Sequence, residues 1–420
     1  MTAISIQISA RPPGSDQSAA AWPDEAWKAK VVAAGDWRPV PFRQFIVKLH
    51  SRCNLSCDYC YIYEMADQTW RTLPGGMARE TLRQAARRIG EYAERHGLAE
   101  VQVIYHGGEP LLVGPDYLDF ASEEIRAAMP ATTTAVLSVQ TNGVLVDERM
   151  LQTLVRHEVG LGVSLDGGRE ANDRHRRYAN GNGSFDQVAR ALSLVNQPEY
   201  RHLFSILLCT IDVTRDPVET FESLLEFDPP AVDFLLPLGN WSSPPPLLPA
   251  PPGETPYAEW LIAIFDRWYS APSQETDVRL LQAIIDEVLG NPSGFEKVGL
   301  TPSAAIEVET DGSMHQVCSL KSAYDGATCT NLNVFAHTFD QAMEHPAVVA
   351  RQVGRAALSD TCQDCDIRDM CGGGYYAHRY RADTGFRNPS VYCPDLFRLF
   401  GHVGRRVYAD LARLTSGGAR

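Results

Sequence analysis

Three cysteines stand at 53, 57 and 60 and four more at 362, 365, 371 and 393, out of ten in the chain. The first group, C-N-L-S-C-D-Y-C, places three thiols on one short loop. Three thiolates can hold three corners of a metal site and leave the fourth open, and an open corner is where a metal does chemistry. A zinc site completed by a distant ligand is the alternative. His50 is its nearest candidate, although a place at a strand end suits a packing role equally well. The second group, Cys362, Cys365, Cys371 and Cys393, supplies four thiolates and can close a site. From spacing alone a structural zinc ribbon and an iron–sulfur cluster fit it equally. Cys209, Cys318 and Cys329 stand apart, and Cys209 sits in an apolar run that reads as core.

The setting supports metal over disulfides. Met1 to Ala20 is polar with no signal-peptide core, and no run of 18 apolar residues occurs, which places the chain in the cytoplasm. In a reducing compartment clustered cysteines mean metal. A net charge of -14 argues against a wide electrostatic grip on nucleic acid or anionic lipid, so neither a nucleic acid nor a membrane is expected as a partner. With 420 residues, 44% of them hydrophobic, the chain is globular and long enough for two or three domains.

The elements that must position these thiols follow from periodicity. Residues 1–40 carry Trp22, Trp27 and Trp37 with little pattern, and read as an arm that packs on the body or closes over a site. Strands are predicted at 45–49, 101–105, 135–139, 160–165, 202–210 and 232–236. Helices alternate with them at 79–96, 115–129, 147–157, 184–195 (with Ser184 as its cap) and 217–227. Six β/α units over residues 41–236 imply a parallel sheet covered by helices, as a partial (β/α)6 barrel or an open doubly wound sheet. Either way the chemistry belongs at the C-terminal ends of the strands, where the first cysteine loop lies. Eight prolines between Pro237 and Pro256 make a linker or rigid flap, opening a bridging region at 237–300 with helices at 257–269 and 277–289. Residues 301–420 hold a hairpin turning at Asp311-Gly312, the turn-rich cysteine segment and a last helix at 396–414.

At this point the chain resembles the radical S-adenosylmethionine (SAM) enzymes. Cys53-x3-Cys57-x2-Cys60 with Tyr59 before the last cysteine is their signature after the first strand of a β/α domain. Gly107-Gly108-Glu109-Pro110, Gln140-Thr141-Asn142-Gly143 and Ser164-Leu165-Asp166-Gly167 follow at successive strand ends. The resemblance implies a partial (β/α)6 barrel with a [4Fe-4S] cluster on Cys53, Cys57 and Cys60, whose open iron binds SAM. It further implies that Gly107 and Gly108 admit the methionine amine, that Glu109 helps orient it, and that Tyr59 lies by the adenine. Gln140, Asn142 and Ser164 would hydrogen-bond ribose or carboxylate. Asp166 joins this set although a helix cap or turn is its plain alternative, and Arg176 or Arg177 would bind a carboxylate although surface solvation competes.

The C-terminal cysteines resemble the SPASM domain of peptide-modifying radical SAM enzymes, with the pattern C-x2-C-x5-C-x3-C and a later Cys. Cys362, Cys365, Cys371 and Cys393 match, which implies an auxiliary [4Fe-4S] cluster. Tyr375 replaces the x3 cysteine, and no cysteine precedes the hairpin near position 303. A nearer auxiliary cluster, for which Cys318 is a loose fit, therefore lacks at least two ligands unless Cys329 substitutes. Two clusters in all are expected.

The run C-D-Y-C-Y-I-Y-E resembles both anaerobic sulfatase-maturing enzymes and FxsB-type cyclophane-forming peptide maturases. C-T-I-D at 209–212, D-F-L-L-P at 233–237 and G-G-G-Y-Y-A-H-R-Y at 372–380 look more like the latter. That likeness implies hydrogen abstraction from a β-carbon of a ribosomally made precursor peptide. The carbon radical then adds to an aromatic ring two residues earlier, and loss of an electron and a proton leaves a C–C crosslink. The auxiliary cluster would take that electron or brace the domain. Asp383, His378 and Tyr380 are the candidate bases. A low-potential donor such as flavodoxin or ferredoxin is implied as a partner. Formylglycine or thioether formation is the rival chemistry, and a zinc-bound peptide-binding protein the non-catalytic one.

Overall fold

A computed structural model describes residues 22–417. Six strands run parallel in chain order: β1 Gln44–His50, β2 Glu100–Gly107, β3 Thr134–Thr141, β4 Gly160–Ser164, β5 Phe204–Thr210 and β6 Ala231–Leu235. Sequential order without reversal is the winding of a partial barrel, and it excludes the doubly wound alternative, whose order reverses at a switch point. A two-residue β7, Asp277–Val278, pairs parallel to β6. The helix predicted from Asp277 therefore starts two residues later, at Arg279, because this dipeptide is taken into the sheet edge.

Burial along the strands explains where function lies. In β2 Val101, Val103 and Tyr105 are fully covered by helices, whereas Ile104 and His106 face the lumen half-buried; β3 repeats this with Val139 covered and Gln140 half-covered. The helix Arg79–Arg95 supplies the outer layer, burying Leu82, Ala85, Ala86, Ile89, Tyr92 and Ala93 along one face, as its spacing requires. Ser184 stands at the start of the helix Phe185–Val195 but does not cap it. Its hydroxyl donates to Arg176 O (2.7 Å), and Asp173 Oδ1 accepts from the Phe185 N–H (2.8 Å) instead.

The hairpin strands β8 Ala305–Val308 and β9 Ser313–His315 do not stand apart from this sheet. β8 pairs parallel to β1, with Gln44 opposite Ala305 and Val47 opposite Val308, and β10 Cys329–Asn333 completes a ten-stranded sheet. One hydrophobic core runs from Phe42 and Phe45 through Val308 and Met314 to Leu399 and Val407 of the closing helix, Cys393–Gly417. The arm forms a helix at Glu25–Ala34, and its tryptophans are spent on packing. Trp22 and Trp27 meet edge to face at 4.9 Å, and Trp37 Nε1 donates to Gln352 Oε1 (3.2 Å). Residues 1–21 of the arm lie outside the described residues.

The β1–β8 joint contains an ion pair in the interior: Lys48 Nζ lies 3.3 Å from Glu307 Oε2, with the two side chains 2% and 0% exposed. Removing one partner of such a pair strands the other charge, at about 3–5 kcal/mol, whereas an apolar pair of similar volume is often neutral. Thermal unfolding is accordingly expected to rank Lys48→Met well below the wild type, with Lys48→Met/Glu307→Leu above the single variant. A double variant no more stable than Lys48→Met would contradict this reading.

Candidate active site

The loop after β1 carries Cys53, Cys57 and Cys60 around a cavity of about 550 Å3 at the C-terminal ends of the strands. Cys60 N–H bonds back to Cys57 O (3.1 Å), a tight turn that brings the two thiols to one side. Leu55 N–H and Asn142 Nδ2 both donate to Cys53 Sγ, at 3.4 and 3.6 Å. Burial pushes the Cys53 thiol up to about 12 and Cys57 to about 11, so these thiols ionise only against a cation, as metal ligation supplies. Among the described residues no three His, Cys, Asp or Glu side chains converge as ligands of one metal ion. Thiols spread around a cavity suit a polynuclear cluster, in which each iron takes its own thiolate, better than one zinc ion. His50 is no fourth ligand: its Nδ1 is engaged by Arg52, and it does not line the cavity.

Most residues expected around a cofactor line this cavity: Tyr59, Gly107, Gly108, Gln140, Asn142, Ser164 and Arg176. Gly108 has no room for a side chain, since a Cβ there would meet Tyr63 Oη at 1.8 Å and the Arg52 carbonyl at 2.6 Å. The close approach of β2's end to the cysteine loop thus requires glycine. Gln140 Nε2 donates to Ser164 Oγ (3.2 Å), and both face the cavity.

Two expected contacts are corrected. Glu109 is fully buried and is not on the cavity wall. Its carboxylate accepts from Leu111 N–H (2.9 Å), Thr141 Oγ1 (2.7 Å) and Asn142 N–H (2.8 Å), which fastens the ends of β2 and β3 together. Asp166 is likewise off the wall: it accepts from the Tyr59 hydroxyl and from Thr210 N–H (2.9 Å). Its carboxylate holds Tyr59 from behind the wall.

Arg176 is the third member of that group, with Nη1 donating to Tyr59 Oη at 2.9 Å and Nε without a protein partner. It is buried, not solvated; Arg177 is the half-exposed one, 3.6 Å from Asp58. Burial raises the Asp166 carboxyl, and the Arg176 guanidinium opposes that rise. His175, beside Tyr59 on the same wall, bridges Asp58 (2.8 Å) and Asp212 (3.3 Å) and has no counterpart among the sequence expectations. Its helix, Arg169–His175, reads R-E-A-N-D-R-H, with no apolar period to reveal that it tucks against the site. Pro244, Pro245 and Pro246 form part of the cavity wall, so the proline-rich stretch is a flap. Trp241 anchors it, with N–H donating to Tyr380 O (3.0 Å) and Nε1 to Pro389 O (2.7 Å).

Cys362, Cys365, Cys371 and Cys393 surround a smaller cavity of about 60 Å3. Gly372, Gly373 and Gly374 all have positive φ, which turns the chain around it, and burial pushes Cys371 up to about 12 and Cys393 to about 11. Four thiols on the wall of one small cavity fit an iron–sulfur group. The three candidate bases separate. Asp383 is exposed and pairs with Arg381 (2.9 Å), and Tyr380 packs on Tyr324 and Phe386; neither is on the wall of the two large cavities. Both therefore stand apart from the thiol cavity in this structure. His378 is buried on the wall of a further cavity, away from the three thiols. Among the described residues no helix is long and apolar enough to cross a membrane.

Two substitutions test these assignments. Asp166→Asn removes the negative charge that Arg176 and Tyr59 share, and equilibrium dialysis should show SAM bound about tenfold more weakly. Asp383→Ala should leave product formation within about twofold of wild type, as for other exposed surface changes; a larger loss would restore it as a candidate base.

Comparison with known proteins agrees with this geometry. Residues 47–225 match the Radical SAM superfamily. The cysteine-type anaerobic sulfatase-maturating enzyme of Clostridium perfringens (strain 13 / Type A) is 26% identical over 381 residues, covering 87% of this chain and 97% of that one. The serine-type enzyme of Klebsiella aerogenes is 23% identical over 388 residues, covering 89% and 87%. Among solved structures, native anSMEcpe with bound AdoMet and Cp18Cys peptide superposes with a TM-score of 0.74 at 22% identity, over 88% of this chain and 99% of that one. Streptococcus suis SuiB bound to precursor peptide SuiA gives 0.56 at 13%, over 87% and 78%. With residues 47–225 matching the radical SAM superfamily, the chain is an enzyme with the radical SAM α/β fold and a cysteine-rich C-terminal region, whose cofactors are SAM and [4Fe-4S] clusters.

Proposed function

We propose that this enzyme modifies a ribosomally made precursor peptide, joining the ring of an aromatic residue to the β-carbon of a residue two positions later. In this reading Cys53, Cys57 and Cys60 hold the SAM-binding cluster, and Cys362, Cys365, Cys371 and Cys393 hold an auxiliary one. When bound, SAM and its cluster supply a 5′-deoxyadenosyl radical able to take one hydrogen atom from the peptide. Gly107 and Gly108 admit the methionine end, while Gln140, Asn142 and Ser164 offer polar contacts. Arg176, with Nε free of protein partners, is placed to meet the SAM carboxylate. The proline flap and His175 complete the cavity wall. Overall the peptide loses two hydrogens, as one hydrogen atom, one electron and one proton. A low-potential flavodoxin or ferredoxin supplies the reducing electron that starts the cycle.

The observation that carries the crosslinking reading is the residue set at positions 303, 318 and 375. The resemblance would place ligands of a nearer auxiliary cluster there, and the chain has Ser303, Cys318 and Tyr375. That pattern suits the cyclophane-forming enzymes, whereas the sulfatase-maturing ones usually keep those ligands. The second reading, conversion of a cysteine or serine to formylglycine, is favoured by the identity that extends over 97% of the Clostridium perfringens enzyme.

Anaerobic co-expression with a candidate precursor, followed by fragmentation mass spectrometry, separates the two. The expected product is lighter by two hydrogens over a segment that resists fragmentation and begins at an aromatic residue. An altered cysteine or serine with every aromatic free would establish formylglycine chemistry instead. Iron content tests the ligand sets: about eight irons per chain are expected for two clusters, falling by about half in either Cys57→Ala or Cys365→Ala. Only Cys57→Ala should abolish SAM cleavage.

A further inference from the structure

A second cavity, of about 480 Å3, adjoins the first and shares Tyr61, Leu235, Leu236 and Leu238 with it as a common wall. Phe234, Phe295, Val298 and Val317 make much of its surface apolar. One buried polar side chain on its wall, His378, has no hydrogen-bonding partner. Both ring nitrogens of His378 are unpartnered at 3% exposure, whereas Glu307 on the same wall is held by Lys48 Nζ at 3.3 Å. Orphaned polar groups at this depth are costly and call for a ligand.

The donor set does not fit an iron–sulfur cluster. Ser303, Cys318 and Tyr375 all lie on this wall. Tyr375 Oη is committed to Ser319 Oγ (2.6 Å), and Ser303 Oγ accepts from Arg351 Nη2 (2.6 Å). Cys318 is the one thiol, held 3.3 Å from Tyr61 Oη. Cys329, the conceivable substitute, lies off this wall, 3.9 Å from His315 Nε2. One thiol cannot carry a cluster. The lining instead suits a flat apolar group with a polar edge. Burial holds the His378 imidazole down at about 3, so it is neutral and has one nitrogen that donates and one that accepts.

We propose that this cavity receives the aromatic side chain of the substrate peptide that becomes the crosslink acceptor, with His378 accepting a hydrogen bond from its ring N–H or O–H. The proposal rests on the crosslinking reading above and names the residues that select the ring. Tyr61, common to both cavities, lines the boundary at which a ring in this pocket and a β-carbon in the thiol cavity would meet.

Saturation-transfer NMR on the full-length, anaerobically reconstituted enzyme tests it with p-cresol, 3-methylindole and toluene as side-chain surrogates. All three are expected to bind the wild type, and Val298→Phe, which fills the cavity, is expected to abolish their binding. His378→Leu should weaken p-cresol and 3-methylindole about fivefold while sparing toluene. It also covers the case in which Val298→Phe fails to load iron. Surrogates that do not bind the wild type at millimolar concentration, or that bind both variants unchanged, overturn the proposal. Product mass keeps the two ideas distinct. A wild type that crosslinks peptide while both variants match its kcat/KM removes the cavity's role and leaves the reaction standing. A wild type that binds p-cresol yet yields only formylglycine removes the acceptor role together with the crosslinking reading.

Discussion

Two buried lysines hold the last third of the chain against the barrel. Lys48 of β1 faces Glu307 of β8, and Lys321 lies 3.3 Å from Asp67 and 3.6 Å from Glu309. Taking such charges out of water costs several kcal/mol per ion, so they persist only where the geometry answers every hydrogen-bonding need. Asp67 shows how fully it is answered: it also accepts from Thr69 N–H (3.1 Å) and from Gly326 N–H (2.8 Å). The cysteine loop after β1 and the hairpin β8–β9 are therefore fixed to one another. Their parallel pairing through β1 is what places the two large cavities on either side of Tyr61.

The same economy of charge shapes the thiol cavity. Tyr59, Asp166 and Arg176 form a buried chain in which a carboxylate and a guanidinium share one phenol. The phenol is thereby held at the cavity edge with its ring presented inward. Glu109 plays the matching part across the barrel, tying β2 to β3 through three hydrogen bonds. Both carboxylates serve the site by fixing the residues that face it, and a pre-set wall spares a ligand the work of ordering it.

Much of this was legible in the residues themselves. The helices at 79–95 and 115–127 follow from their apolar stripes, and the parallel strands from their apolar runs. The thiol loop and the strand-end motifs announced the first cavity because chemistry needs those residue types at those spacings. Three things were not legible, each for a physical reason. Glu109 and Asp166 stand inside motifs whose neighbours do line the cavity, and sequence spacing does not tell a wall residue from the one behind it. Arg176 sits in the run D-R-H-R-R, whose polarity reads as solvated until the fold buries it. Pairing of β8 with β1 joins residues some 260 positions apart through backbone groups, which leave no trace in side-chain pattern.

Likeness to the sulfatase-maturating enzymes extends over nearly their whole length, so the architecture places little constraint on which bond is made. The discriminating residues are few and lie together. Around the second cavity the chain has a serine, a lone cysteine and a tyrosine, with an unpaired histidine and a carboxylate among phenylalanines. Buried polar groups at this depth need a partner, whether water or a ligand. A guest that is planar and carries a single donor meets both the apolar walls and the imidazole. That match of shape and polarity is what the proposed acceptor pocket supplies.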